Sequence, residues 1–137
     1  WSSDVCSSDL FTKLEIEHIL PDNPKAELRA TWAAENPNAV YDDYKNRLGN
    51  LTLLEKPINI VAGNDFYKAK QAEYGKSGNY LTRSLVALTE VGQNTSISRI
   101  NAKLEAFPAW NAASIEKRHA LLIALAQEVW KTTPIDV

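Results

Sequence analysis

The spacing of apolar and polar positions predicts two short strands and a series of helices. Apolar and polar side chains alternate with a period of two over residues 14–19, and residues 51–54 form a second short apolar strand. The predicted helices span residues 26–35, 65–74, 80–92, 96–107 and 115–129, and a short helical turn is predicted within residues 57–64. This order of elements predicts an α+β fold dominated by helix, with a helical C-terminal part.

Helical spacing also predicts which side chains face the core. These are Phe66, Ala69 and Tyr74 on the 65–74 helix, and Ile115, His119, Leu122, Ala126 and Val129 along the last helix. The aromatic residues Tyr80, Trp110 and Trp130 are expected to pack in the core rather than to stack on bases. Since His119 lies on an apolar stripe, we expect it to be a packing residue and not a catalytic one.

The first ten residues, Trp1–Leu10, follow neither periodicity. They read SSD, then VC, then SSD again, and they resemble a short-read sequencing adapter translated in one frame. A natural polar N-terminal tail is the alternative. Under the adapter interpretation the natural chain begins near Phe11 and is truncated upstream, in agreement with the absence of methionine.

Composition and charge exclude some classes of protein. The chain has 137 residues, 15 Lys+Arg against 17 Asp+Glu, and one cysteine. Without Asp4, Asp9 and Cys6 in the first ten residues, it is neutral and cysteine-free, which excludes a disulfide-stapled secreted protein. No apolar run approaches the ~20 residues of a membrane-spanning helix. The span from Lys45 to Arg83 contains seven basic and three acidic residues, so it has the net positive charge that phosphate contact requires.

Three polar features accompany the predicted strands. Glu17 and His18 are adjacent at the end of the first strand, Asn50 precedes the second strand, and Asn59 follows nine residues later, where a helix begins. An imidazole that titrates near neutral pH can act as a general base, and carboxylate and amide oxygens are ligands for hard divalent cations. A histidine on a strand, followed by a loop, a second strand and a helix, resembles the ββα-metal motif of HNH endonucleases.

The resemblance extends over most of the chain. The segments that carry it are E-H-I-L-P at 17–21, R-L-G-N-L-T-L-L at 47–54, Asn59, F-x-x-x-K at 66–70 and W-x-x-x-x-I-x-x-R at 110–118. Together they resemble the C-terminal HNH domain of GmrSD-type modification-dependent restriction enzymes and related phage-defence proteins. The resemblance implies one nuclease domain over residues 11–137, with a ββα-metal core at about 14–74 and a helical subdomain at about 79–132. It also implies a cytoplasmic protein with a larger N-terminal domain that senses DNA and hydrolyses nucleotide.

The family pattern implies a role for each matching residue. His18 would activate water, and Asn50 would fix the loop and orient His18. Glu17 and Asn59 would hold Mg²⁺ or Mn²⁺, which stabilises the leaving 3′-oxygen and gives 5′-phosphate ends; Asn64 competes with Asn59 for this role. Adjacent strand residues point to opposite faces, so Glu17 and His18 can share a site only if the strand bends or one side chain reaches around. The absence of cysteine in the natural part excludes a zinc-stapled version.

Arg47, Lys68 and Lys70 are predicted to contact DNA phosphates, although Lys68 and Lys70 do not share one side of a helix. The expected partner is double-stranded DNA, either unmodified or base-modified, and an RNA-directed nuclease would differ only in its substrate. A catalytically inactive DNA-binding or helical partner domain with the same fold is the alternative from a different functional class.

Overall fold

The computed structural model describes residues 14–87 and 104–131, and its architecture is the predicted α+β fold. Its elements are β1 (Leu14–His18), α1 (Ala26–Glu35), α2 (Tyr41–Tyr44), a 3₁₀ turn (Leu48–Asn50), β2 (Leu51–Glu55), α3 (Lys56–Ala62), α4 (Tyr67–Tyr74), α5 (Tyr80–Arg83) and α6 (Ala112–Lys131). The two strands, the helix over residues 26–35 and the long last helix are thereby confirmed. Within the described ranges, no helix has the length and apolarity that a bilayer crossing demands.

Three sequence interpretations fall wholly or partly outside the described residues. One is the helix predicted over residues 80–92, of which the structure describes residues 80–87 and has a helix only over Tyr80–Arg83. The segment interpreted as an adapter, residues 1–10, lies there entirely. Most of the helix predicted over residues 96–107 lies there as well, but its last turn does not. The structure has Leu104 and Phe107 buried in a non-helical segment, so the helix prediction is wrong for that turn. The backbone N–H of Phe107 donates to the carbonyl of Leu85 at 2.8 Å, a contact with another segment in place of a helical bond.

The two strands form an antiparallel pair in which His18 lies opposite Leu51 and Glu17 opposite Thr52. Because side chains alternate along a strand, Glu15 and Glu17 share one face, and His18 lies on the other. Glu17 is buried, whereas the apolar Ile16 next to it is 65% exposed. The acidic face of β1 therefore points inward, which is possible only where the protein supplies partners for the carboxylate.

One continuous core connects the strand region with the C-terminal part. It includes Ile19 after β1, Leu28 on α1, Tyr74 on α4, Leu85 after α5 and Ile115 on α6. The regions predicted as a ββα core and a helical subdomain thus pack around the same apolar cluster.

The buried face of α4 differs from the predicted one. Tyr67, Lys70 and Tyr74 are buried, at the i, i+3, i+7 spacing of one helix face, whereas Phe66 and Ala69 are exposed. The prediction holds for Tyr74 and is wrong for the other two residues. It failed because a lysine occupies the middle of the buried face, and apolar periodicity does not detect a buried charge.

On α6 the buried side chains are Ile115, Arg118 and Leu125. Trp110, just before the helix, is buried as predicted. Trp130 is 68% exposed, so the prediction that it packs in the core is wrong. It lies in the last turn of α6, beyond the part of the helix that covers the core.

The backbone of α6 contacts the turn before β2 directly. A Cβ atom on Gly49 would lie 2.2 Å from the carbonyl oxygen of Ile115 and 2.6 Å from the backbone nitrogen of His119, so only glycine allows this approach. The Gly49 N–H donates to His119 Nδ1 at 3.1 Å. Arg118 NH1 donates to the carbonyls of Gly49 and Leu51 at 2.9 and 2.8 Å. His119 thus has the structural role expected of it.

We predict that Gly49→Ala lowers the free energy of unfolding by about 2 kcal/mol or more, because the added methyl group forces α6 away from the turn. Urea denaturation followed by tryptophan fluorescence measures this. Gly75→Ala is the matched control, since Gly75 has helical φ and a Cβ there would meet its nearest atoms at 3.6 Å. That substitution should change stability by less than about 1 kcal/mol. Equal effects of the two substitutions would contradict the proposed close contact.

Candidate functional site

His18 ends β1 with its ring partly exposed. Its Nε2 atom lies 3.1 Å from Oδ1 of Asn46, which belongs to the loop before the 3₁₀ turn. An amide oxygen can only accept, so in the neutral tautomer that uses this contact Nε2 carries the proton and Nδ1 has the lone pair. Sequence reasoning did not identify Asn46, because it lies in a polar run without a recognisable motif.

Glu17, next to His18, takes part in a buried ionic cluster. Its Oε2 atom accepts from Lys70 Nζ at 3.0 Å and from the Tyr74 hydroxyl at 2.7 Å. The Lys70 ammonium also donates to the carbonyls of His18 and Ile19, at 3.0 and 3.3 Å. Lys70 therefore restrains the Glu17 carboxylate and the main chain of the two residues that follow it, His18 and Ile19.

The burial of this cluster shifts the pKa values of Lys70 and Tyr74. Burial lowers the pKa of the Lys70 ammonium, while the charge of Glu17 and its hydrogen bond oppose that shift. Burial and the nearby Glu17 carboxylate both raise the pKa of the Tyr74 phenol well above its ordinary value. The phenol consequently stays protonated and donates to the carboxylate. The cluster has the form of a charge pair completed by hydrogen bonds, as a buried charge requires.

The placement of Lys70 corrects the prediction that it contacts DNA. Its side chain is fully enclosed, so no phosphate can reach the ammonium group without unpacking α4. Lys68 is exposed in the first turn of α4, where a phosphate can reach it. The Arg47 guanidinium is partly exposed, lies 4.0 Å above the ring of Tyr44, and is 3.5 Å from Glu116 Oε1. Lys68 and Arg47 stay predictions as phosphate contacts.

Glu17 and Asn59, the predicted pair of metal ligands, have separate partners. Asn59 Nδ2 donates to Glu15 Oε1 at 2.9 Å, whereas Glu17 binds Lys70 and Tyr74. Asn64, the competing ligand, is exposed in the turn that follows α3. Over residues 14–87 and 104–131, no group of three or more histidine, cysteine, aspartate or glutamate side chains could hold a metal ion. In this arrangement the residues do not fit the predicted metal pair.

Asn50 is fully buried, and its amide makes four hydrogen bonds. Oδ1 accepts from the Leu20 backbone N–H at 2.7 Å and from Trp110 Nε1 at 2.9 Å. Nδ2 donates to the carbonyls of Leu20 and Lys45 at 2.9 and 2.7 Å. Both donors and both lone pairs are thus used, so Asn50 joins the loop to the chain after β1. The side chain that contacts the His18 ring is Asn46.

The separated sequence motifs meet in these contacts. Trp110 donates to Asn50, Arg118 donates to the main chain around Asn50, and Lys70 binds Glu17. Burial lowers the pKa of Arg118 to about 10, which still leaves its guanidinium charged at neutral pH. These residues hold His18 and its surroundings in place, and His18 is the partly exposed histidine of the group.

Comparison with known proteins identifies one family. The chain matches the family model described as "GmrSD restriction endonucleases, C-terminal domain" over residues 2–125. This range includes β1, the turn before β2, α4 and most of α6. A search of curated proteins and a search of solved structures returned no match.

We predict that Lys70→Met destabilises the protein by about 3–5 kcal/mol, because it leaves the Glu17 carboxylate buried without its counter-charge. Combining it with Glu17→Gln should restore part of this loss, since the double variant buries no charge. Urea denaturation of the two single variants and of the double variant measures the coupling. The control is Lys76→Met, because Lys76 lies 2.9 Å from Glu73 but its side chain is 62% exposed. Because the Lys76 ammonium group is in solvent, this pair should contribute less than about 1 kcal/mol, although the Glu73 side chain is only 15% exposed. If the Lys70 and Lys76 variants lose the same stability, the role assigned to the buried pair is wrong.

Proposed function

Because the chain belongs to the family of GmrSD restriction endonuclease C-terminal domains, we propose that it hydrolyses phosphodiester bonds in double-stranded DNA. The observation that carries the proposal is the position of His18. Its ring is partly open to solvent at the end of β1, one nitrogen is engaged by Asn46, and its main chain is held by Lys70. Such a fixed and accessible imidazole is suited to general-base catalysis.

In the proposed reaction His18 removes a proton from the water molecule that attacks phosphorus. The nitrogen that accepts the proton is Nδ1, because Nε2 carries its own proton toward Asn46. The charge that forms on the imidazolium is tolerated because the ring edge is open to solvent. Lys68 and Arg47 supply positive charge for positioning phosphates of the DNA backbone.

A divalent ion, Mg²⁺ or Mn²⁺, stays part of the proposal for a chemical reason. Attack on a phosphodiester builds negative charge on the phosphate and on the leaving oxygen, and a bound cation stabilises that charge. The contacts of Glu17 and Asn59 do not fit the predicted ligand pair, so the roles derived for His18 and Asn46 do not depend on it.

We further propose that the nuclease acts together with a domain that senses DNA and hydrolyses nucleotide. The family description as a C-terminal domain of restriction endonucleases supports such a division of labour. Under this proposal, the preference for base-modified DNA belongs to the sensing domain, and the present domain supplies the cleavage step in phage defence.

The alternative is a non-catalytic DNA-binding or partner domain with the same fold. The engagement of Glu17 by Lys70 and Tyr74 favours it, because a carboxylate committed to a structural cluster is not free to bind a metal. A cleavage assay separates the two, since the alternative predicts DNA binding without strand breaks.

His18→Ala is expected to reduce nicking of a supercoiled plasmid by about 10²–10⁴-fold, the usual contribution of a general base. Agarose gel analysis over time, in the presence of Mg²⁺ or Mn²⁺, measures the rate. The matched control is His119→Asn, which replaces the other histidine and keeps an acceptor near the Nδ1 position for the Gly49 N–H; it should keep its activity while folded. Cleavage by His18→Ala at more than a tenth of the original rate would refute this role of His18.

Chelation of divalent ions is expected to abolish plasmid nicking, and added Mn²⁺ should restore it. If a site forms on the folded chain, Mn²⁺ should also raise the unfolding temperature in a concentration-dependent manner. Gel assays and thermal unfolding with and without EDTA measure both effects. Cleavage that continues unchanged in excess EDTA would show that the reaction needs no exchangeable metal ion.

A further inference from the structure

A pocket of about 350 Å³ opens between the chain that follows β1, α1 and the start of α4. Its walls come from the chain just after β1, from one face of α1, from the start of α4 and from residues 108–110. The first lining residue in the sequence is Ile19, which follows His18. This volume lies near the lower end of the range for small-ligand sites, about 300–1,000 Å³. The roles proposed above for His18, Asn46, Lys68 and Arg47 do not explain this space.

Flat aromatic side chains form much of the pocket wall. Trp32, Phe66, Tyr67 and Trp110 all line it. Tyr67 and Trp110 are stacked, with ring centroids 5.4 Å apart and planes inclined by 29°. The Tyr67 hydroxyl donates to the Leu85 and Phe107 carbonyls, which fixes this pair in place. Trp32, Tyr67 and Trp110 are core residues, whereas the Phe66 ring is 38% exposed, and an exposed aromatic ring can stack on a planar ring such as a nucleobase.

One hydrogen-bond donor of a lining residue has no acceptor. Trp32 is only 4% exposed, and its Nε1–H group is buried without a partner among the described residues. The group is enclosed by the protein, so Trp32 contributes apolar ring surface and not this donor to the pocket wall.

The start of α4 adds positive charge to the same pocket. The helix runs over Tyr67–Tyr74, no side chain caps its N-terminus, and its first backbone N–H groups lack acceptors within the helix. Lys68 lines the pocket and exposes its ammonium group there. Together these groups suit a phosphate. The carboxylate of Glu35, also in the wall, can accept from the amino group of a base.

We propose that this pocket binds a single nucleotide turned out of the DNA helix, with its base among the aromatic side chains and its phosphate at Lys68 and the start of α4. The inference rests on the proposed function, because it takes DNA as the substrate. It deepens that function by assigning a site to one nucleotide of the DNA substrate. Enzymes that act on single nucleotides in DNA take the base out of the stack in a comparable way.

The test uses 2′-deoxynucleoside 5′-monophosphates as probes for the whole 137-residue chain, in buffer without divalent ions. The readout is the indole N–H resonance of Trp32 in ¹H–¹⁵N NMR spectra, assigned with Trp32→Phe; the exposed Trp130, assigned with Trp130→Phe, is the internal reference. At least one nucleotide should shift the Trp32 resonance in a saturable manner and leave that of Trp130 in place. Inorganic phosphate at the same concentrations should shift it less.

Lys68→Gln should weaken nucleotide binding by about 3–10-fold, because it removes one charged hydrogen-bond donor. Lys56→Gln is the matched control, since Lys56 is an exposed lysine on α3 that does not line the pocket, and it should leave the affinity unchanged. Because Lys68 is exposed, its substitution should leave the unfolding temperature unchanged, so a lost affinity cannot be attributed to misfolding.

Absence of a saturable Trp32 shift with every nucleotide would overturn the proposal, as would equal effects of Lys68→Gln and Lys56→Gln. Binding of inorganic phosphate as tight as that of the nucleotides would remove the role of the aromatic wall and overturn it too. Plasmid nicking by the same preparation separates this result from the proposed function. If the protein nicks DNA but does not bind nucleotides, only the pocket proposal is refuted. If it binds nucleotides but does not nick DNA, only the proposed nuclease function is refuted.

Discussion

The turn at Gly49 and Asn50 holds together three parts of the chain that are far apart in sequence. The buried Asn50 amide joins the segment after β1, the loop that precedes the turn and Trp110 at the start of the C-terminal part. Leaving one of these buried groups unpaired costs about 1–3 kcal/mol, so each segment restrains the other two. The Ile19 backbone N–H also donates to the Asn50 carbonyl at 2.9 Å, which ties the residue after His18 to the same turn. The histidine is therefore placed by a network built mostly from main-chain groups.

A second network contains a buried charge pair and lies on the face of β1 that carries Glu17, opposite to the face that carries the His18 side chain. There Lys70 binds Glu17 and the carbonyls of His18 and Ile19, so one ammonium group connects the end of β1 with the middle of α4. A buried charge pair adds little net stability compared with apolar packing, but it tolerates few alternative arrangements. In this protein it determines which face of β1 points inward, against the simple expectation that Ile16 would be buried.

The elements could be predicted from the sequence more fully than the faces they bury. Residues 26–35 form a helix as predicted, because alanine, leucine and glutamate favour helix locally and Asn36 and Pro37 end it. The inward orientation of Glu17 depends on Lys70, which is 53 residues away, and no local periodicity contains that information. For the same reason, Asn46 could not be identified as the partner of His18. Motif residues such as Asn50 could be found, but buried polar networks and catalytic sites use the same residue types, so the motif alone did not separate the two roles.

The contact at Gly49 restricts which amino-acid substitutions this part of the protein can accept during evolution. A steric conflict with a neighbouring side chain can be relieved by a second mutation that shortens that side chain. At Gly49 the obstructing atoms include the carbonyl oxygen of Ile115 and the backbone nitrogen of His119, which every amino acid would present. No compensating substitution on α6 can therefore make room, and a variant at this position would have to displace the whole helix. A substitution at Gly49 therefore either leaves α6 in place or displaces the whole helix, and a series of single side-chain substitutions cannot shift the helix gradually.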